Sequence, residues 1–341
     1  MCKSLSSMKP AARACLVLTV LAIAVLLPVA IYIFHLGSPP TIPQKTATHA
    51  LPHERIVIQD PGDFTVPGAG TGCECVTGGS GDSSHPFVIS GWRLNASDGH
   101  GISIAWTTVH FLIADVIVNG SGRYSGVVLR GVENGVIMNS SFSGGLHGIY
   151  LFRSSNIMIA NNTVADNAFG IILEGSENNT VAGNALNRNR QVGIFVRGSN
   201  DVIDANLVVD GSFGGINVDG TGGFGSSNRI TNNVVNRNLQ YGIGLWRARN
   251  NLITGNVVSE NGATGIMLVD SSANNLIESN RVVNNRGDGV LNAEQSSGNR
   301  VTRNTVTGNG NAVNSFDLND ECSDNVWLDN IFNTRKPETI T

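Results

Sequence analysis

Residues 251–268 read Asn-Leu-Ile-Thr-Gly-Asn-Val-Val-Ser-Glu-Asn-Gly-Ala-Thr-Gly-Ile-Met-Leu. Short apolar runs alternate with polar residues, and each run is closed by Asn or Gly. Alternation of this kind sends successive side chains to opposite faces of a strand. Asn and Gly are poor in helices and good at tight corners. The stretch therefore predicts two or three strands of three to five residues joined by sharp corners, none long enough to fold alone.

The pattern recurs along the chain. A Gly followed by alternating apolar residues appears at Gly126, Gly148, Gly170, Gly193, Gly215, Gly242, Gly265 and Gly289, and Ala312 closes the series. The spacings are 22, 22, 23, 22, 27, 23, 24 and 23 residues. In phase with them run Asn162, Asn184, Asn206, Asn233, Asn256, Asn280, Asn304 and Asn330, with a second set at Asn167, Asn189, Asn238, Asn261, Asn285 and Asn309, where Gly211 takes one place. Equal phase means that equivalent positions stack at about 4.8 Å per coil. Ile149, Ile171, Ile194, Ile216, Ile243 and Ile266 then form one inward column, and Leu151, Leu173, Val196, Val218, Leu245 and Leu268 its neighbour. The repeat Gly is expected to supply a backbone conformation closed to larger residues. The corner Asn is expected to bond its copies above and below.

Parallel strands without intervening helices exclude a doubly wound fold. The leucine-rich consensus is absent, and a propeller blade needs about forty residues. The prediction is an all-β, right-handed parallel β-helix of about ten coils. The segment Gly220–Gly225 in the 27-residue unit reads as a loop bulging from one coil.

The Asn-x-Ile-x-x-Asn-x-Val repeats resemble the NosD-like, carbohydrate-binding-and-sugar-hydrolysis group of parallel β-helix proteins. Gly79-Ser80-Gly81-Asp82 and His85-Pro86-Phe87-Val88-Ile89-Ser90-Gly91-Trp92 resemble the entry sequence of such proteins. The likeness spans roughly residues 55–333. It implies the fold, and it implies one of several roles: sugar-active enzyme, surface protein or copper-handling accessory protein.

Ahead of the repeats lies a different kind of segment. Ala14 to Phe34 is almost wholly apolar, long enough for one helical crossing of a bilayer. Lys3, Lys9 and Arg13 precede it, and the next basic side chain is Lys45. The positive-inside rule then keeps the N-terminus cytoplasmic and exports the remainder to the periplasm or cell exterior. The expected organisation is a cytoplasmic stub and transmembrane signal anchor over 1–36 (the membrane contact being 14–34), a linker over 37–54, an entry cap over 55–100, β-helix repeats over 101–333 and a tail over 334–341. A formal charge of −4 with no cluster of Lys and Arg argues against nucleic acid as a partner.

Third and fifth positions after each repeat Gly should face outward. They place Tyr150, Phe152, Phe195, Asn217 and Trp246 on one stripe with Glu174, Arg197 and Asp219. Aromatic faces stack on sugar rings while carboxylates and guanidinium groups bond hydroxyls, so the stripe predicts a binding face for a polysaccharide or surface glycan. A partner in a membrane complex is a further possibility.

A catalytic version of the same stripe uses Glu174, Arg197 and Asp219 as a hydrolase or lyase centre. Two carboxylates two coils apart stand about 9.6 Å from each other, near the upper limit for an inverting glycosidase. No cofactor is called for. Asp201, Asp204, Asp210 and Asp219 give a loose calcium motif that falls on different sides of the coil. Cys73, Cys75 and His85 are the candidate copper ligands, too few for a full site. In an oxidising compartment the two cysteines would instead be oxidised, or one would pair with Cys322.

Overall fold

The computed structural model describes residues 50–65, 73–322, 324–338 and 340. The apolar run 14–34 and its flanks lie outside the described residues. Among the described residues no helix is long and apolar enough to cross a membrane.

Each coil visits three sheets in a fixed order. Sheet I collects Phe111–Ala114, Gly135–Met138, Met158–Ala160 and their successors. Sheet II collects Ile117–Gly120, Ser141–Ser143 and Thr163–Ala165, and sheet III collects Val127–Arg130, His147–Phe152 and Phe169–Glu177. Each sheet holds twelve described strands, all paired in parallel except Val76–Gly78, which runs antiparallel to Phe87–Ser90 at the edge of sheet I. Register keeps like over like: Ile149 faces Ile171, which faces Ile194, and Leu151, Leu173 and Val196 follow suit. These columns are fully buried, as are Ile159, Val181, Ile203 and Ile230 from sheet I and Val164, Leu186 and Val235 from sheet II. One continuous apolar core therefore runs up the stack.

The predicted coils are extended at both ends by short strands. Leu51–His53, inside the stretch assigned to the linker, pairs with Trp92–Leu94. Arg335–Lys336, inside the stretch assigned to the tail, pairs with Leu318–Asn319. At the first coil, buried Phe64 stacks on Phe87 at 5.0 Å and on Phe111 at 5.9 Å. At the last, Ile340 is buried and its carbonyl accepts from Arg335 Nη1 at 2.6 Å.

All three corners carry side-chain ladders. Between sheets I and II, Asn162, Asn184, Asn206, Asn233, Asn256, Asn280, Asn304 and Asn330 are linked by Nδ2–H to Oδ1 bonds of 3.0 Å. Between sheets II and III the ladder runs from Asn167 to Asn189, breaks at Gly211, and resumes from Asn238 to Asn309. The third corner adds Asn179, Asp201, Asn228, Asn251, Asn275, Asn299 and Asn325, a ladder not anticipated from the sequence. Each amide also donates to a carbonyl of the preceding coil, as Asn233 Nδ2 does to Ile203 O at 2.8 Å. Corner backbone that the sheets cannot pair is thereby satisfied in the dry interior.

The repeat glycines have a different reason from the one expected. None from Gly126 to Gly289 has positive φ; the left-handed residues sit one place before the corner Asn, at Asn161, Gly183, Ala205 and Asn232. What excludes a side chain is close approach. A Cβ on Gly193 would lie 2.3 Å from Val208 Cγ1 and 2.8 Å from Gly215 O. Gly193→Ala is expected to destabilise the protein by about 1–3 kcal/mol through overpacking, read as a lower urea midpoint. Ala205→Gly, which relieves a left-handed residue at φ 53°, should leave the midpoint equal or higher.

Candidate functional site

The outward positions of sheet III are brought together as their common phase implied. Phe152, Glu174 and Arg197 are consecutive partners across three strands, and Asp219 pairs with Trp246 two strands further on. Arg197 lies between the two carboxylates. Its Nη1 donates to Glu174 Oε1 at 3.4 Å, and its Nε and Nη2 donate to Asp219 Oδ2 at 3.0 and 2.6 Å. Tyr150 Oη donates to Glu174 Oε2 at 2.8 Å. The four side chains form one hydrogen-bonded chain across four coils, each half-buried.

Aromatic side chains flank it. Phe195 lies 5.5 Å from the Arg197 guanidinium, Phe152 is 6.4 Å from Tyr150, and Trp246 meets Tyr241 edge to face at 4.9 Å. Asn217 Nδ2 donates to Tyr241 Oη at 3.3 Å, which turns that residue toward its neighbour rather than outward. Tyr241 was not singled out in the sequence. Neither was His147, whose Nδ1 shares a 2.9 Å hydrogen bond with the buried Ser125 hydroxyl and whose ring lies 4.9 Å from Tyr150.

The electrostatics follow from this packing. Burial, then the nearby His100, push His147 down to about 4 against a weaker pull from Glu174, so its ring is neutral at pH 7. Burial, the hydrogen bond to Glu174 and that carboxylate's charge push the Tyr150 phenol up to about 12. Burial alone would raise Asp219, yet the Thr221 and Arg197 hydrogen bonds outweigh it and hold the carboxyl below its usual range. Asp219 is thus an ionised acceptor and not a proton donor.

Other candidate residues are dispersed. Cys73 and Cys75 are joined in a disulfide, and His85 is exposed with its Nδ1 3.5 Å from Asp82 Oδ1. That corrects the metal reading: thiolates tied in a disulfide cannot ligate, and Cys322, a free cysteine, stands alone. Among the described residues no cluster of three or more His, Cys, Asp or Glu side chains is suited to a metal ion, so the donor set does not fit copper. The loose acidic group also separates. Asp201 is buried in the third ladder, Asp204 accepts from Asn232, Asp210 pairs with Arg237 and Asp219 with Arg197.

A stacked, asparagine-cornered solenoid with a polar and aromatic stripe on one sheet defines a β-helix repeat protein, and comparison with known proteins agrees. Residues 100–247 match the right handed beta helix region, and residues 188–340 match the periplasmic copper-binding protein (NosD) family. The chain is a right-handed parallel β-helix repeat protein, NosD-like over residues 188–340. No curated protein matches it.

Among solved structures it is similar to the A-module of the Azotobacter vinelandii mannuronan C-5 epimerase AlgE6, with a TM-score of 0.60 and 14% identity over 83% of this chain and 86% of that one. It is also similar to the periplasmic alginate epimerase AlgG, with a TM-score of 0.54 and 15% identity over 72% of this chain and 76% of that one. A third likeness is to the tailspike of E. coli bacteriophage HK620 in complex with a pentasaccharide, with a TM-score of 0.52 and 13% identity over 72% of this chain and 56% of that one. At these identities the likeness is one of fold.

Proposed function

We propose that this protein is an exported scaffold, held at the membrane by residues 14–34, that binds a glycan polymer along sheet III. One observation carries the reading: Tyr150, Glu174, Arg197 and Asp219 form a continuous hydrogen-bonded chain across successive coils, flanked by Phe152, Phe195 and Trp246. Coils at about 4.8 Å present these groups as a track rather than a pocket, which suits a linear polymer. Rings bind sugar faces, and the fixed charges bond hydroxyls in pairs. Similar folds in proteins named for mannuronan, for alginate and for a bound pentasaccharide support the same choice.

A polysaccharide array probed with the full chain in detergent is expected to show binding to at least one polymer. Glu174→Gln, which keeps the shape and removes the ion pair with Arg197, should weaken that binding about tenfold, given the worth of a charge-assisted hydrogen bond. An array without any signal would remove the reading.

A second reading, a carbohydrate-active enzyme, has one favourable observation. A neutral His147 stands beside a Tyr150 phenol that is bonded to a carboxylate, which is acid–base equipment. It favours a lyase over a hydrolase, because Asp219 is held ionised and cannot protonate a leaving group. Appearance of unsaturated ends in the bound polymer, abolished by Glu174→Gln, would establish this reading; an unchanged polymer would leave the scaffold.

A further inference from the structure

The outward face of sheet III carries two arginines that no acid among the described residues pairs with. Arg130 and Arg153 approach the same ring, with their guanidinium carbons 5.9 and 5.1 Å from the Phe152 centroid. Both side chains are exposed. Among the described residues neither forms an ion pair, whereas on the same sheet Arg197 binds Glu174 and Asp219, and Arg247 binds Asp270 at 2.8 Å. The nearest acid in register, Glu174, has one oxygen engaged by Tyr150 and the other by Arg197. Each guanidinium lacks an acid partner among the described residues, and an anion on a bound polymer would supply one. Planar guanidinium forks fit the two-oxygen edge of a carboxylate or a sulfate ester.

The surroundings suit a sugar. The column beside Arg130 and Phe152 holds Trp106, Gly131, Arg153 and Gly175, because the backbone ladder continues from Trp106 through Gly131 to Arg153. The Trp106 indole is 62% exposed and lies across Gly131, where a Cβ would come within 2.4 Å of the ring. Gly175 leaves the floor bare on the other side. There the inserted loop folds back and brings Phe224 to 3.8 Å from the place a Gly175 Cβ would take. An exposed tryptophan, the loop's Phe224 and two arginines without an ion pair thus occupy neighbouring coils.

We propose that the polymer bound on sheet III is anionic, and that Arg130 and Arg153, bracketed by Trp106 and Phe224, hold a carboxylate or sulfate ester on one of its sugars. This rests on the glycan reading of the same sheet and names the class of glycan.

The test measures dissociation constants of the full chain in detergent for pectate, carboxyl-reduced pectate, a sulfated galactan and its desulfated form. At least one charged polymer should bind about tenfold or more tighter than its neutral counterpart, and the pair that shows the gap identifies the anion. Arg130→Gln and Arg153→Gln, both at exposed positions, should each close much of that gap without changing affinity for the neutral form or the melting temperature. Neutral and charged forms binding equally, or a gap that survives the double substitution, overturns the anion site while leaving glycan binding in place. Failure of all four polymers, together with a silent array, overturns both.

Discussion

Asp201→Asn is expected to raise stability at pH 8 by about 2–4 kcal/mol and to change it little at pH 4. Asp201 occupies an asparagine position in the third corner ladder and is fully buried. Its Oδ1 accepts from Asn179 N and Nδ2 at 2.8 and 3.0 Å, as an asparagine oxygen would. Its Oδ2 has no partner. Ladder asparagines use the corresponding amide to donate to the next Oδ1 and to a carbonyl one coil back, as Asn275 does to Asn299 and Ala248. A carboxylate oxygen there faces acceptors; a protonated one can donate to them. Burial, set against the two bonds from Asn179 and reinforced by Glu177, raises the Asp201 carboxyl from 3.8 to about 7.

The window follows from that rise. Below about pH 4 folded and unfolded chains both carry the proton, and the two variants match. Between pH 4 and 7 the unfolded chain releases the proton while the folded chain retains it, so the natural protein loses stability as pH rises. Above pH 7 both states are ionised and the full gap to the asparagine variant remains. His147 titrates in the opposite sense, since a depressed histidine stabilises above about 6.5 and loses that contribution as pH falls toward 4. The readout is therefore the difference in urea unfolding free energy between variant and natural protein at each pH, in which the shared groups cancel. A difference that stays flat from pH 4 to 8 would show that Asp201 is not held as an acid.

Much of the fold was legible because a solenoid repeats its instructions. Ile149, Ile171 and Ile194 share a phase, and stacking is the only arrangement that buries all of them at once. The same phase relation places Glu174, Arg197 and Asp219 in one file. Two features were hidden. The third ladder is masked because Ile157 holds the place before Asn179, Asp201 interrupts it, and Asn178-Asn179 or Asn250-Asn251 doublets blur which member points inward. A repeating glycine suggests a constraint of φ, whereas Val208 Cγ1 and Gly215 O show that space demands it at Gly193; a glycine in a sequence does not say which constraint it meets.

His147 escaped for a related reason. It stands one place before a repeat Gly, where successive coils carry His100, Ser125, His147, Phe169 and Val192. A column without a repeated residue type has no periodic signal, although its members touch: Ser125 N donates to His100 Nδ1 at 3.1 Å, and His147 lies 5.6 Å from Phe169. Variable columns beside invariant ones are where a solenoid can carry chemistry, since the invariant columns are committed to the core.

Asn233→Ala is expected to cost about 3–5 kcal/mol. Asn233 is fully buried in the middle of the first ladder. Its Oδ1 accepts from Asn206 N and Nδ2 at 2.9 and 3.0 Å, and its Nδ2 donates to Ile203 O and Asn256 Oδ1 at 2.8 and 3.0 Å. Truncation takes these partners from Asn206 N–H and Ile203 O in a space too dry to rehydrate them, and removes one bond each from the Asn206 and Asn256 side chains, which keep Val181 O and Asn233 N; an unmet buried polar group costs about 1–3 kcal/mol. Because each coil touches only its neighbours, the loss falls at one interface, and unfolding should become less cooperative as the stack divides near residue 233. Asn233→Asp separates geometry from charge. It keeps the acceptor and replaces the donor by a titratable oxygen, so it should behave as Asp201 does, tolerated near pH 4 and destabilised above pH 7. An alanine variant that unfolds within about 1 kcal/mol of the natural protein, or an aspartate variant indifferent to pH, would mean that the apolar columns alone hold the coils together and that the asparagine ladders are passengers.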